Sequence, residues 1–279
     1  MEYRNPLPAE GVNVGKTHPL KEFAWLAGAA VLLVVLGVSV FAFGGEFIAG
    51  RISFEQELAW SDAWDAADTT QPPEHRIIET ELQALADRLA PHLPLAPGMA
   101  VTVHYVDEAT VNAFATLGGH VVFFRGLLER IPHENALAMV MAHEIAHITE
   151  RDPIRSLGRG MGAVLALSLV TGEGGGSELL GHAGMLTMLR FNRDQESRAD
   201  ALALKAVHGL YGHTQGATDL FRVFQALRDE WGGDWTPEFA ATHPGDAGRI
   251  EALEHLAQDA GFAATGALTA LPEALTELR

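Results

Sequence analysis

The chain has 279 residues, 48% of them hydrophobic, which is enough for one domain of about 150–200 residues with its own core plus additional segments. Lys and Arg number 19 against 36 Asp and Glu, giving a formal charge of −17, nearly all of it carried after residue 50; an acidic domain repels a phosphate backbone, so no nucleic-acid partner is expected. Cysteine is absent, which excludes disulfides and thiol catalysis and leaves the compartment open.

After an N-terminal tail (1–23), residues 24–43 form 20 consecutive uncharged positions, long enough as a helix to cross about 30 Å of hydrocarbon. They are expected to anchor the chain in a lipid bilayer. Arg4, Lys16 and Lys21 precede the run and only Arg51 follows it closely, so the positive-inside rule predicts a cytosolic amino end and an extracytoplasmic remainder. A cleaved signal peptide is the rival, but its apolar region is usually about 7–15 residues, and no clean A-x-A site follows here. Residues 44–75 are a connector. Glu46 to Trp64 is predicted as an amphipathic helix, with Ile48, Ile52 and Leu58 on it and Trp60 and Trp64 either at headgroup level or packed on the domain. The polar run Asp65 to Pro73 reads as a linker.

The main domain is expected over 76–261. His75 to Leu89 reads as a helix burying Ile77, Ile78, Leu82, Leu85 and Leu89, and Ala100 to Val106 as a strand with Val101, Val103 and Tyr105 inward and His104 facing solvent. Val111–Leu117 and His120–Phe124 form a predicted hairpin closed by Gly118-Gly119. Gly126 to Ile131 is a short helix, stopped by Pro132.

The run from Glu134 to Glu150 contains His143-Glu144-Ile145-Ala146-His147 and no Gly or Pro. On a helix, His143 and His147 at i and i+4 share one face and can hold a single ion, while Glu144 points about 100° away, off the ion but close enough to take a proton from its water. Catalytic zinc sites use three protein ligands and leave a fourth position for water. The best third ligand is Glu196, with Asp200 one turn on as acceptor for the free ring N–H of a ligand histidine. One Zn2+ per chain is expected.

Leu157 to Val170 is a second apolar helix, too short to span a bilayer comfortably, and so either buried or dipping into the membrane face. Thr171 to Ser177 is glycine-rich and is read as a flexible linker that could act as a lid, followed by an apolar segment, Leu179 to Leu189. Lone histidines in loops are usually exposed, the reading given to His182, His133, His208 and His213. Thr214 to Trp231 is a third helix burying Leu220, Phe221, Phe224 and Leu227, and 262–279 is expected to be a peripheral tail.

Four motifs carry a resemblance: Val111 to Gly119, His143 to His147, Arg193-Asp-Gln-Glu-Ser-Arg-Ala-Asp200, and Thr242-His-Pro-Gly-Asp-Ala-Gly-Arg-Ile250. In this order the chain resembles the HtpX, BepA and mitochondrial Oma group of membrane-associated zinc metallopeptidases, to which the CAAX prenyl endopeptidases also belong. The resemblance implies a mainly helical α+β, gluzincin-like domain with a small antiparallel sheet behind one transmembrane helix. It implies zinc on His143, His147 and Glu196, with Glu144 as base. His243 and Arg249 match the group's histidine and arginine beyond the ligands, and would stabilise the negative charge of a tetrahedral intermediate. His243 could also ligate zinc in a resting form. In these peptidases the strand holding Asn112 and Ala113 borders the cleft, and an extended substrate pairs with it; backbone pairing suits broad specificity.

The expected activity is therefore a membrane-anchored zinc metalloendopeptidase acting on protein or peptide substrates in quality control of membrane or envelope proteins, at a bacterial inner membrane with the domain periplasmic. Two other readings stand beside it: a zinc-binding chaperone or assembly factor with latent or no peptidase activity, and a zinc hydrolase of non-peptide amides, which would need a closed pocket. Substrate identity and oligomeric state are not legible.

Overall fold

The structure, a computed structural model, describes residues 18–61, 72–171, 191–230, 238–243 and 248–278. The expected lid at Gly172–Ser177, the segment Leu179–Leu189 with His182, Trp64 and most of the 65–73 linker lie outside the described residues.

Helix α1 (Pro19–Ala49) begins at His18, whose ring accepts the Leu20 N–H, and has Pro19 in its first turn, where a missing N–H costs nothing. At 31 residues it is about 46 Å long, and its apolar window, with mean hydropathy 2.6, is not buried against the rest of the chain. The chain breaks at Gly50 and restarts as α2 (Phe54–Ser61), where Ser53 and Gln56 exchange hydrogen bonds of 3.1 and 3.2 Å in a capping box. The single helix expected from Glu46 to Trp64 is thus two pieces: local capping at Ser53 outweighs the continuous apolar pattern. The face α2 buries is polar, Glu57 and Ser61, and Trp60 is exposed.

Helix α3 (Pro73–Leu89) buries Ile78, Leu82, Leu85, Ala86 and Leu89, each large side chain contributing about 1.5–3 kcal/mol over exposure. Ile77 is exposed, because one residue from Ile78 it sits about 100° off that stripe. Strands β1 (Thr102–Val106), β2 (Ala113–Ala115) and β3 (His120–Phe124) form one sheet in the order β1-β3-β2. β2 and β3 pair antiparallel, Ala115 opposite Val121, as the hairpin reading requires. β1 joins β3 in parallel, so the sheet is mixed and not wholly antiparallel; β2 sits on the far side of β3 and cannot screen that pairing.

The turn needs both of its glycines. Gly118 and Gly119 have φ of 74° and 83°, and an added Cβ would lie 2.1 Å from Ser61 Oγ and 2.0 Å from the Ala100 carbonyl oxygen. His104, expected in solvent, is buried with Nε2 2.7 Å from His120 Nδ1, and His120 Nε2 is 3.3 Å from Ser61 Oγ. The sheet is covered on its second face too, where Phe114, Val122 and Phe124 cluster, so alternation did not separate core from solvent.

After α4 (Arg125–Leu128), α5 (Glu134–Thr149) runs through the middle of the domain, between the sheet, α3 and α7 (Arg193–Tyr211). Every residue from Glu134 to Ile148 is buried, which is why the helix lacks a polar stripe. The C-terminal segment is not peripheral. Thr269 accepts the Glu134 N–H at 2.9 Å and donates to Asn135 Oδ1 at 2.8 Å, tying down the first turn of α5, and Leu275 of α11 (Glu273–Thr276) is buried.

Past α5, Arg151 adopts φ 60°, a conformation that costs a non-glycine residue about 1–2 kcal/mol. It is held there by Glu57, whose Oε2 accepts Arg151 NH2 at 2.5 Å and whose Oε1 accepts the Gly118 N–H at 2.9 Å. Helix α6 (Asp152–Thr171) follows and lies antiparallel along the C-terminal half of α1, the most extensive helix pairing among the described residues. α8 (Asp219–Glu230) starts at Asp219 rather than Thr214 and buries Leu220 and Phe224; α9 (Glu238–Thr242) and α10 (Arg249–Asp259) complete the fold.

Candidate metal centre

Three elements meet at one point. α5 brings His143, Glu144 and His147, α7 brings Glu196 and Asp200, and the end of α9 brings His243. α7 is set by a capping box in which Asn192 Oδ1 accepts the Gln195 N–H at 3.0 Å and Gln195 Oε1 accepts the Asn192 N–H at 2.9 Å, placing Glu196 in the first turn facing α5. His143, His147, Glu196 and His243 each offer one donor atom, all four atoms within 4.8 Å of one another and all four residues buried. The two imidazole Nε2 atoms of α5 are 3.1 Å apart, Glu196 lies 3.4 Å from each, and His243 Nδ1 is 3.1 Å from Glu196 and 3.3 Å from His143.

The opposite ring nitrogens say what this arrangement requires. His143 Nδ1 is 3.0 Å from Asp200 Oδ1, and His147 Nδ1 is 2.9 Å from Asp152 Oδ2. A carboxylate only accepts, so each Nδ1 carries its proton and each Nε2 of a neutral ring presents a lone pair. Two lone pairs 3.1 Å apart beside a carboxylate repel unless a proton or a metal ion lies between them. Zinc with bonds of 2.0–2.1 Å sets tetrahedral ligand atoms about 3.3 Å apart, the spacing found here. Glu196 Oε2, Glu144 Oε1 and His243 Nε2 are buried with no hydrogen-bond partner, three polar atoms that a cation and its substrate would satisfy.

The protein atoms alone already select positive charge. Burial lowers the pKa of His143, but hydrogen bonds to Asp200 and Glu196 more than offset this and hold it at about 9. His147 is raised too, its burial outweighed by Asp152 and Glu196. Glu196, which burial alone would raise, is brought far below the carboxylate range by His243 and His143, and Asp200 is lowered chiefly by Arg249 against its own burial.

The residues singled out from the sequence therefore come together, with two refinements. Arg249 donates to Asp200 at 2.6 Å, approaches Glu196 at 3.4 Å and lies over the Phe221 ring, on the Nδ1 side of His143 rather than the side facing the cluster. Asn112 accepts the Phe124 N–H with its carbonyl and is 3.4 Å from Thr242 Oγ1 through its side chain; it and Ala113 are buried. The antiparallel register turns the backbone of Ala113 and Ala115 away from β3, and the Ala115 N–H is taken by Glu144 Oε2 at 2.8 Å. His133, His208 and His213 stand apart from the cluster and are not simply exposed: His133 caps α5, His208 stacks on Phe262, and His213 is buried with Nε2 3.1 Å from the Ala267 carbonyl.

Sequence reasoning missed Asp152 and Gln195. Asp152 is wholly buried, holds His147 with one oxygen and accepts Gln195 Nε2 with the other at 2.7 Å. Its signal was the spacing, five residues beyond His147 where α5 ends.

Known proteins are similar to this chain in sequence. The chain is 27% identical over 221 residues to the zebrafish (Danio rerio) protein named metalloendopeptidase OMA1, mitochondrial, covering 74% of this chain and 46% of that one. It is 28% identical over 222 residues to a putative beta-barrel assembly-enhancing protease of Vibrio cholerae, covering 74% and 45%. With a protease HtpX homolog of Ralstonia nicotianae it shares 28% over 298 positions, covering 88% and 99%. The chain thus spans under half the length of the first two. Residues 75–257, from α3 through most of α10, match peptidase family M48; they include every element that builds the cluster, whose donor set is able to hold a metal ion, and the chain belongs to that family.

Proposed function

We propose that the protein is a membrane-anchored zinc metalloendopeptidase in which His143, His147 and Glu196 hold the ion and Glu144 is the general base. The observation that carries the reading is the set of imidazole and carboxylate lone pairs converging at 3.1–3.4 Å with the Glu144 carboxylate beside it. Bound there, zinc would supply Lewis acidity, polarising a peptide carbonyl and acidifying water. Glu144 Oε2 is fixed by the Ala115 N–H, which leaves Oε1 to accept a proton and pass it to the leaving amine. Asp200 and Asp152 keep both rings in the tautomer that ligates, and Arg249 neutralises Asp200 and Glu196 so that the carboxylates can stand together.

Glu144 Oε1 is buried 3.4 Å beneath His243 Nε2, so a substrate reaches it only when that imidazole withdraws. His243 is accordingly read as a fourth ligand at rest and as a donor to the oxyanion once displaced, with Arg249 contributing its charge from behind His143. A peptide would lie along the outer edge of β2, pairing with the backbone groups that Ala113 and Ala115 turn away from β3. The apolar window of α1 supports an anchor in a cell membrane, the basic residues that precede it support an extracytoplasmic domain, and the name of the Vibrio relative, a putative beta-barrel assembly-enhancing protease, is in keeping with a role in envelope protein quality control.

Glu144→Gln should keep stoichiometric zinc and lose casein cleavage; undiminished cleavage would remove Glu144 from the mechanism. A zinc-dependent chaperone without peptidase activity would bind unfolded protein but show no chelator-sensitive cleavage in the parent chain.

A further inference from the structure

α6 starts inside the domain and leaves it. Asp152, Pro153, Ile154 and Ser156 are buried, whereas Met161, Leu165, Leu167, Leu169 and Val170 expose between 49 and 67% of their surface. An apolar surface of this kind, facing water, is an aggregation hazard. It is continuous with α1. An added Cβ at Gly45 would lie 2.1 Å from the Gly158 carbonyl oxygen, one at Gly158 2.4 Å from the Ala49 Cβ, and one at Gly162 2.1 Å from the Phe41 carbonyl oxygen, so the two backbones touch. Glycines four apart that let helix backbones meet are how helices associate in lipid, where burying apolar surface supplies no drive.

Charged groups stop at one level on both helices. Arg159 pairs with Glu46 at 3.1 Å, and Arg155 lies against Gly50. Beyond that collar α6 carries no charge from Gly160 to Thr171, and α1 none from Gly45 back to Phe23. Hydroxyls inside the uncharged zone bond back to their own helix: Ser39 to Val35, Ser168 to Val164 and Thr171 to Leu167, at 2.8, 2.9 and 3.1 Å. That satisfies them where no water is present.

We propose that α6 from Gly160 to Thr171 is inserted in the bilayer alongside α1, with lipid acyl chains covering its exposed face, so that the domain is seated by two helices. The proposal rests on reading α1 as a membrane anchor. At 1.5 Å per residue the inserted part is about 17 Å long, a little over half the hydrocarbon thickness of about 30 Å.

The chain has no cysteine, so single-cysteine variants of the 279-residue chain carry one nitroxide each, reconstituted in phosphatidylcholine–phosphatidylglycerol vesicles. Labels go at Met161, Leu165 and Leu169, at Leu33 on α1, and at exposed Leu268 on the domain. The readout is the ratio of collisions with oxygen, which concentrates in lipid, to collisions with a water-soluble nickel chelate. Leu33, Leu165 and Leu169 should give ratios several-fold above Leu268, with depth increasing from Met161 to Leu169. Lipid-like values at Leu33 with nickel-accessible α6 positions would overturn the insertion and leave the anchor standing. α6 positions shielded from both reagents would mean a protein cover, a second copy included, and would also overturn it. Nickel access at Leu33 as well would sink the anchor and the insertion together.

Discussion

Asp152→Asn tests whether the buried carboxylate behind His147 sets the metal site. In the parent chain Asp152 Oδ2 accepts from His147 Nδ1 at 2.9 Å, and Oδ1 accepts from Gln195 Nε2 at 2.7 Å. Asparagine is nearly isosteric but has one acceptor where the aspartate has two. If its oxygen stays on His147, its amide N–H2 faces the Gln195 N–H2. Gln195 cannot rotate to relieve this, because its Oε1 is the acceptor in the α7 capping box, 2.9 Å from the Asn192 N–H. If the amide turns instead toward His147, that ring must accept at Nδ1 and carry its proton on Nε2, aimed at the cluster. Either arrangement weakens ligation. Loss of such a partner costs 10–100-fold in metal affinity, about 1.4–2.7 kcal/mol. Competition between the protein and a fluorescent zinc chelator measures the affinity, and circular dichroism checks the fold. A folded Asp152→Asn variant that binds zinc as tightly as the parent would refute the account of the tautomer.

Three further outcomes follow from the structure. His143, held at about 9, competes with zinc through its proton below that pH, so affinity in chelator-stripped protein should rise from pH 6 toward 9 and binding at pH 7 should release protons; calorimetric heats that do not change with the buffer's ionisation enthalpy would contradict this. The same group contributes stability to the stripped protein below its unfolded pKa of about 6.5, and this is lost as pH rises through about 9. Glu57→Ala leaves Arg151 strained at φ 60° without its partner and the buried Gly118 N–H without its acceptor, and an unsatisfied buried donor costs about 1–3 kcal/mol; an unchanged melting temperature would show that the clamp does not hold α2 to the hairpin turn and the end of α5.

The centre was legible because its chemistry is written at short range. His143 and His147 share one face of α5 with Glu144 about 100° from it, and Glu196 and Asp200 share one face of α7, so helical spacing made each half of the centre readable by itself. What sequence could not supply was the contact between elements. Asp152 reads as a residue in a turn until α7 brings Gln195 against it, and Glu57 reads as one more acid on a connector until Arg151 and Gly118 meet it. His104 shows the limit of alternation, which sorts two faces of a strand but does not say that both are covered. The C-terminal segment lacked an apolar period, and its hold on α5 is made by the backbone of Thr269, which no side-chain pattern reports.

Asp152 is at once the first residue of α6 and the carboxylate that steadies His147. Eight helical steps, about 12 Å of axis, separate it from Gly160. If α6 lies in lipid as proposed, that stretch would be a rigid spacer, not a tether, holding the histidine–carboxylate cluster at one height above the headgroups. At about 3.3 Å per extended residue, roughly four residues bridge the same gap. For the proposed peptidase the bonds within reach would then be those just outside a target's own membrane segment, and sites far out on a soluble domain would have to be brought down to the surface before they could be cut.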